Sequence, residues 1–184
     1  MKRRTILAAG AVMAATALIA VPALAALKVG TRAPDFTLTG FKAGQPITYS
    51  LADARRKGPV VVYFFPAAFT GGCDLEAHLF AEAADDFAAS GASIIGVTAG
   101  SIDKLKAFSA DNERCSGKFP VAADQGAKVA KQWKSTLPTG ISNRTSYVIS
   151  PTGEVLFVHS EMNPREHVNL TLAAVRKWKA GQKG

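Results

Sequence analysis

Residues 59–65, PVVVYFF, form a run of β-branched and aromatic side chains with no polar break. A strand that faces water on one side alternates apolar and polar residues, so an unbroken run marks a strand covered on both faces. Covering both faces of a sheet takes helices on each side, which restricts the chain to a layered α/β architecture. A second such run, ASIIGVTA at 92–99, follows a segment rich in helix formers, CDLEAHLFAEAADDFAASG at 73–91. Leu75, Leu79, Phe80 and Phe87 fall on or near one face of that predicted helix, and Gly91 stops it.

The flanking segments extend this pattern. KVGTRAPDFTLTG (28–40) predicts a short strand with Phe36 and Leu38 on one side, and QPITYSLADARRKG (45–58) predicts another strand and a helical turn. SIDKLKAFSADNE (101–113) reads as a helix capped by Ser101, with Ile102, Leu105 and Phe108 inward. FPVAAD is strand-like, and GAKVAKQWK suits a short helix. RTSYVISPTGEVLFVH (144–159) gives two alternating strands around a Pro-Thr-Gly turn. The last helix is expected to start with Asn163 as cap, Pro164 in the first turn and Glu166 at the third position, burying Val168, Leu172 and Val175. This order predicts a mixed central sheet with helices on both faces. A thioredoxin-like fold satisfies it, and periodicity alone leaves a small flavodoxin-like arrangement open.

The first residues have a different character. MKRRTILAAGAVMAATALIAVPALA begins basic (Lys2, Arg3, Arg4), continues apolar and uncharged, and ends in Ala23-Leu24-Ala25, a small-x-small cleavage site. These are the parts of a secretory signal peptide. Arg3-Arg4 ahead of Thr5, Ile6 and Leu7 resembles a twin-arginine export signal. The expectation is a leader over 1–25, a single domain over 26–184, and an exported, periplasmic protein with no stable membrane association once the leader is cut. Cleavage would lower the formal charge from +8 to +5 by removing three basic residues. The remaining Lys and Arg, such as Arg55, Arg56, Lys128 and Lys131, are scattered rather than striped with aromatics, which argues against a nucleic-acid groove.

Export permits disulfides. Yet only Cys73 and Cys115 exist, and no Cys-x-x-Cys is present, so neither a thioredoxin-type dithiol nor a zinc ribbon is available. Cys73 sits where the helix follows the first buried strand, just after Gly71 and Gly72, which allow close backbone approach and unusual dihedrals there. The free N–H groups of a helix start favour a thiolate over a thiol. Bringing a thiol from about 8.5 to about 6 takes roughly 3.4 kcal/mol, and a helix end supplies at most about 2 kcal/mol. A nucleophile at this position therefore needs a second cation, and an arginine, which never loses its proton, suits the role best.

Pro66, Thr70 and Cys73 spell Pro-x-x-x-Thr-x-x-Cys, which resembles the active-site signature of the peroxiredoxins. GTRAPDFTL looks like that family's N-terminal element, IIGVTAGSIDKLKAF like its following strand and helix, and NRTSYVISPTGEVLF like the segment carrying its active-site arginine. The likeness runs from about Gly30 to the C-terminus and is nearest the peroxiredoxin Q, or bacterioferritin comigratory protein, branch. It implies a thiol-dependent peroxidase acting on hydrogen peroxide or organic hydroperoxides, without cofactor or metal. Arg144 would hold the Cys73 thiolate and the peroxide, the Thr70 hydroxyl would bond to both, and Pro66 would shield the site. Attack on the near oxygen would leave a sulfenic acid on Cys73. The implied partners are the hydroperoxide and a thiol or dithiol reductant protein, with a monomer or homodimer as the assembly.

Other residues carry less. Glu76 matches an acidic position of the family and equally suits a first-turn acid facing the helix dipole. His78 lies too far round the helix from Cys73 to share a metal with it, while His159 and His167 carry no signal. Asn143-Arg144-Thr145 and Asn169-Leu170-Thr171 fit the glycosylation pattern, a weak match. Many members of the nearest branch have a second cysteine five positions after the first, where this chain has His78. Cys115, expected in an exposed loop after the 101–113 helix, is then the candidate resolving residue, with a one-cysteine cycle as the alternative. Two other functions suit the same scaffold: an exported thiol–disulfide oxidoreductase and a non-catalytic redox-sensing module.

Overall fold

The computed structural model describes residues 26–182, so the expected leader over 1–25 lies outside the described residues. Seven strands form one sheet: β1 (Thr37–Lys42), β2 (Gln45–Ser50), β3 (Val60–Phe64), β4 (Ser93–Thr98), β5 (Val121–Ala123), β6 (Thr145–Ile149) and β7 (Val155–Ser160). Their order across the sheet is β2-β1-β5-β4-β3-β6-β7. β3, β4 and β5 run parallel, while β6 lies antiparallel to β3 and β7 to β6. The antiparallel β6 rules out a flavodoxin-like sheet and agrees with the thioredoxin-like expectation.

The six α-helices of the described residues are α1 (Leu51–Arg55), α2 (Gly71–Glu82), α3 (Ala84–Ala89), α4 (Leu105–Ala110), α5 (Lys128–Gln132) and α6 (Arg165–Gly181). Every residue of β3 is buried, and its side chains alternate between two cores. Val61, Tyr63 and Phe65 pack with Cys73, Ala77 and Phe80 of α2 and with Val168, Leu172 and Val175 of α6. Val60, Val62 and Phe64 pack with Leu51, Trp133 and Tyr147 on the opposite side. The unbroken apolar run therefore has the two-sided cover it requires.

Three expectations shift. The helix of 73–91 starts two residues earlier and breaks at Ala83 into α2 and α3. Its inward face in α2 is Cys73, Glu76, Ala77, Phe80 and Ala81, with Leu75 and Leu79 only half-buried. The stripe was misplaced because one of its members is an acid, which apolar patterning skips. In 101–113 the Ser101 hydroxyl does accept from the Asp103 N–H at 3.2 Å, but it caps a short 3-10 turn, and α4 ends at Ala110. The last helix begins one residue later than expected, with Pro164 at the cap position and the Asn163 side chain accepting from Arg165 N at 3.2 Å.

Candidate active site

The sheet order puts β6 beside β3, with Thr145 opposite Phe64 at the end of β3. Arg144, the residue before β6, therefore meets the loop leaving β3 and the first turn of α2, although 71 residues separate it from Cys73. Its guanidinium is 3% exposed and makes three contacts. Nε donates to the Met162 carbonyl at 2.9 Å, Nη1 donates to Glu76 Oε2, and Nη2 donates to Cys73 Sγ at 3.5 Å. The second cation demanded by a helix-start nucleophile is thus present, and it is an arginine.

The α2 turn is shaped locally. Phe69, with φ 61°, adopts the left-handed conformation that non-glycine residues rarely take, and Thr70 is extended before the helix begins. Cys73 N and Asp74 N donate to the Thr70 carbonyl at 2.9 and 2.8 Å. Neither Gly71 nor Gly72 has a positive φ, so the expected unusual dihedrals fall on Phe69 instead. Gly72 matters for space: a Cβ there would lie 3.0 Å from Arg144 Nη2. Any side chain would press on the guanidinium that faces the sulfur.

Pro66 is half-buried at the end of β3, and its carbonyl accepts from Thr98 Oγ1 at 3.1 Å, which ties the active-site loop to β4. Thr70 is exposed. Its hydroxyl makes no capping bond and donates to the Ala67 carbonyl at 2.9 Å, which commits its proton and leaves the oxygen to accept. Cys73 itself is 2% exposed.

Two residues join the site that sequence reasoning undervalued or missed. Glu76, weighed as a simple first-turn acid, is fully buried and faces Arg144. Burial pushes its carboxyl up to about 8, against the pull of the Arg144 charge and hydrogen bond. His167, which carried no signal, is also fully buried, with Nδ1 3.4 Å from Glu76 Oε1 and 2.8 Å from Ser146 Oγ. Burial pulls its imidazole down to about 4. The one hint available beforehand was position, since His167 shares the inward stripe of α6 with Val168, Thr171, Leu172 and Val175. His78 stands apart, its Nε2 3.5 Å from Glu82 Oε1. Among the described residues no group of three or more His, Cys, Asp or Glu side chains is placed to hold a metal ion.

Cys115 corrects an expectation. It lies in the loop after α4 as anticipated, but it is fully buried rather than exposed, and burial raises its thiol well above the ordinary range. Both cysteines are free and belong to the same core cluster. The loop turns inward because it is pinned. Arg114 pairs with Asp111 at 2.7 Å and with Asp74 at 3.0 Å, and its guanidinium lies 4.7 Å above the Phe69 ring. One arginine therefore ties the neighbour of Cys115 to the neighbour of Cys73.

Known proteins share this arrangement of sequence and fold. The model of the AhpC/TSA family matches residues 29–158. A chloroplastic peroxiredoxin Q of Sedum lineare is 32% identical over 153 residues, covering 82% of this chain and 78% of that protein. The chloroplastic peroxiredoxin Q of Oryza sativa subsp. japonica is 32% identical over 146 residues, which is 78% of this chain and 64% of the relative. Among solved structures, peroxidoxin BcpB from Mycobacterium tuberculosis superposes with a TM-score of 0.70 at 32% identity, covering 82% of this chain and 97% of that one.

Proposed function

The chain belongs to the AhpC/TSA family, and from that premise we propose that it is a thiol-dependent peroxidase whose nucleophile is Cys73. The observation that carries this reading is the contact of Arg144 Nη2 with Cys73 Sγ between two nearly buried side chains. A cation fixed there offers a donor to the peroxide where charge develops on its leaving oxygen. The Cys73 sulfur attacks the near oxygen of ROOH, an S–O bond forms as the O–O bond breaks, and the departing RO⁻ takes a proton to become alcohol or water. Cys73 is oxidised to a sulfenic acid and the peroxide is reduced. In this reading the Thr70 oxygen accepts the peroxide O–H, its own proton being given to the Ala67 carbonyl. Peroxide consumption with a dithiol reductant checks the assignment. The wild type should turn over and Cys73→Ser should not, whereas activity in that variant would remove the nucleophile.

Cys115 is the resolving residue in this reading. Its thiol attacks the Cys73 sulfenic acid, an S–S bond forms, water leaves, and an external dithiol then reduces the disulfide. Both sulfurs are buried, and in this reading the step goes with opening of the first turn of α2 and the 111–118 loop, which also admits the external dithiol. Arg114 holds those two segments together. Replacing it by Gln removes partly exposed ion pairs that contribute up to about 1 kcal/mol each. After one equivalent of peroxide, Arg114→Gln should form the intramolecular disulfide about fivefold faster than wild type, read by quenched intact-mass time courses. Cys115→Ser should instead hold Cys73 as sulfenic acid.

The leader over 1–25 supports export to the periplasm with cleavage after Ala25. Among the described residues no helix is long and apolar enough to cross a membrane. The mature protein works as a monomer or homodimer and draws electrons from a thiol or dithiol protein of its own compartment.

A further inference from the structure

We propose that Phe69, Ile141 and Met162 form an apolar rim around Cys73 that takes the organic group of a neutral alkyl or aryl hydroperoxide, which makes them specificity-determining residues of the site. The inference rests on Cys73 being the nucleophile.

Four large apolar side chains stand exposed among the described residues: Val29, Phe69, Ile141 and Met162. Topology sorts them by end of the sheet. Cys73 follows the Phe64 end of β3, where Thr145 of β6 and Ser160 of β7 also lie. Phe69 belongs to the loop between β3 and α2, Ile141 stands three residues before Arg144, and Met162 comes two residues after β7. All three are therefore at the reacting end. Val29 is at the other, beside Gly30, whose N–H donates at 2.9 Å to the carbonyl of Val155, where β7 begins.

Contacts between these loops tie each of them to the site. The Met162 carbonyl accepts from Arg144 Nε at 2.9 Å, and Nη2 of the same guanidinium is 3.5 Å from Cys73 Sγ. Next to Ile141, the Ser142 hydroxyl accepts from Ala99 N at 3.0 Å. A Cβ on the following Gly100 would lie 3.8 Å from the Pro66 carbonyl oxygen and 3.9 Å from Ala67 Cα, so this loop touches the one that leads to Cys73. Phe69 is held as a wall. Its ring stands edge-on to Phe108 at 5.5 Å, and the Arg114 guanidinium covers it at 4.7 Å. The segments also lack charge. Neither FPAAFTGGC (65–73) nor STLPTGISN (135–143) holds an acid or a base, in a chain with 20% charged residues. Glu161, beside Met162, is the sole charge in SEMNP (160–164), and it disfavours an anionic substrate.

The reaction decides what can reach this rim. The near oxygen must meet the Cys73 sulfur, which is 2% exposed, so the rest of the hydroperoxide is left pointing outward. Hydrogen peroxide has only a hydrogen there, while an alkyl or aryl group can lie on the three side chains. Removing about 55 Å² of apolar surface from water is worth a factor of about ten in binding. A fully buried aromatic side chain gives up about 150 Å² or more, so an open rim that covers part of one phenyl group suffices. The bond changes stay those of the peroxidase step: S–O forms, O–O breaks, and RO⁻ takes a proton and leaves as the alcohol.

Stopped-flow oxidation of Cys73 by cumene hydroperoxide and by hydrogen peroxide tests the rim. The readout is the ratio of the two second-order rate constants, so a loss common to both peroxides cancels. Ile141→Ser combined with Met162→Ser should lower this ratio by about tenfold, and each single change by about threefold. Phe69→Ser should also lower it by about threefold or more, whatever happens to the absolute rates. Val29→Ser, at the far end of the sheet, should leave the ratio as in wild type. A ratio within about twofold of wild type in the double variant overturns the proposal, as does an equal fall when Val29 is replaced. If the ratio holds while KM for added thioredoxin rises, the rim is a docking surface for the reductant and the proposal falls. If wild type is oxidised by neither peroxide, the Cys73 reading fails. The methyl resonances of Ile141 and Met162 on addition of 2-phenylpropan-2-ol, the unreactive alcohol of the same shape, then still decide: shifts uphold the rim, and their absence overturns it.

Discussion

Replacing Arg144 by Met should lower peroxide turnover by about 100-fold to 1,000-fold, the scale of losing one fixed donor from a site where charge develops. The loss should appear in the single-turnover rate of Cys73 oxidation, because Arg144 Nη2 is the group that reaches the sulfur. The same variant reports on Glu76. Breaking a buried ion pair by removing one partner costs about 3–5 kcal/mol, since a charge is left behind without compensation. Losing a hydrogen bond from a charged donor to a neutral carboxyl costs about 1.5–3 kcal/mol. Because burial pushes the Glu76 carboxyl up to about 8, the smaller cost is expected in urea unfolding at pH 7, growing as the pH is raised past that value. A variant that keeps wild-type turnover would show that the guanidinium is a structural tie between β6 and α2 and no part of the chemistry.

Phe80→Ala should be the most damaging change away from the reacting atoms. Phe80 is fully buried two turns along α2 from Cys73, with its ring stacked 4.6 Å from Tyr63 of β3 and packed against Phe87 and Phe119. Truncating a buried aromatic to Ala costs about 3–5 kcal/mol, through lost transfer energy and the cavity left behind. That is a large part of the stability of a domain this size. A loss of that size in unfolding free energy is expected from urea titration, with a normal oxidation rate for the fraction that remains folded. A loss under about 1 kcal/mol would mean that the α2–β3 interface collapses to fill the gap.

The sequence carried much of this molecule, and the reasons differ from residue to residue. The β3 run announced a two-sided sheet because burial on both faces removes the need for polar alternation. The hairpin of β6 and β7 was legible because turn chemistry is local. Thr70, Pro66 and Arg144 were singled out through the resemblance to a family signature, and Cys73 through that resemblance together with its place at a helix start. What patterning mishandled was polarity inside the core. Glu76 and His167 occupy inward helix positions that an apolar reading assigns to other residues, so the buried face of α2 was misjudged. Cys115 was placed in the right loop but on the wrong side of the surface. Nothing local in DNERCSG reveals that Arg114 will reach back to Asp74, 40 residues earlier.

The division follows the range of the forces. Period, capping and turn preference act over a few residues, and they fixed the elements, their order and the helix start that carries the sulfur. Which charge faces which is settled only when strands β3 and β6 pair and α6 closes over them. Desolvation then acts on groups drawn from distant segments at once. The chain alone named a cysteine and an arginine. Only the packed core decided that a buried acid faces the arginine and that a histidine lies behind it.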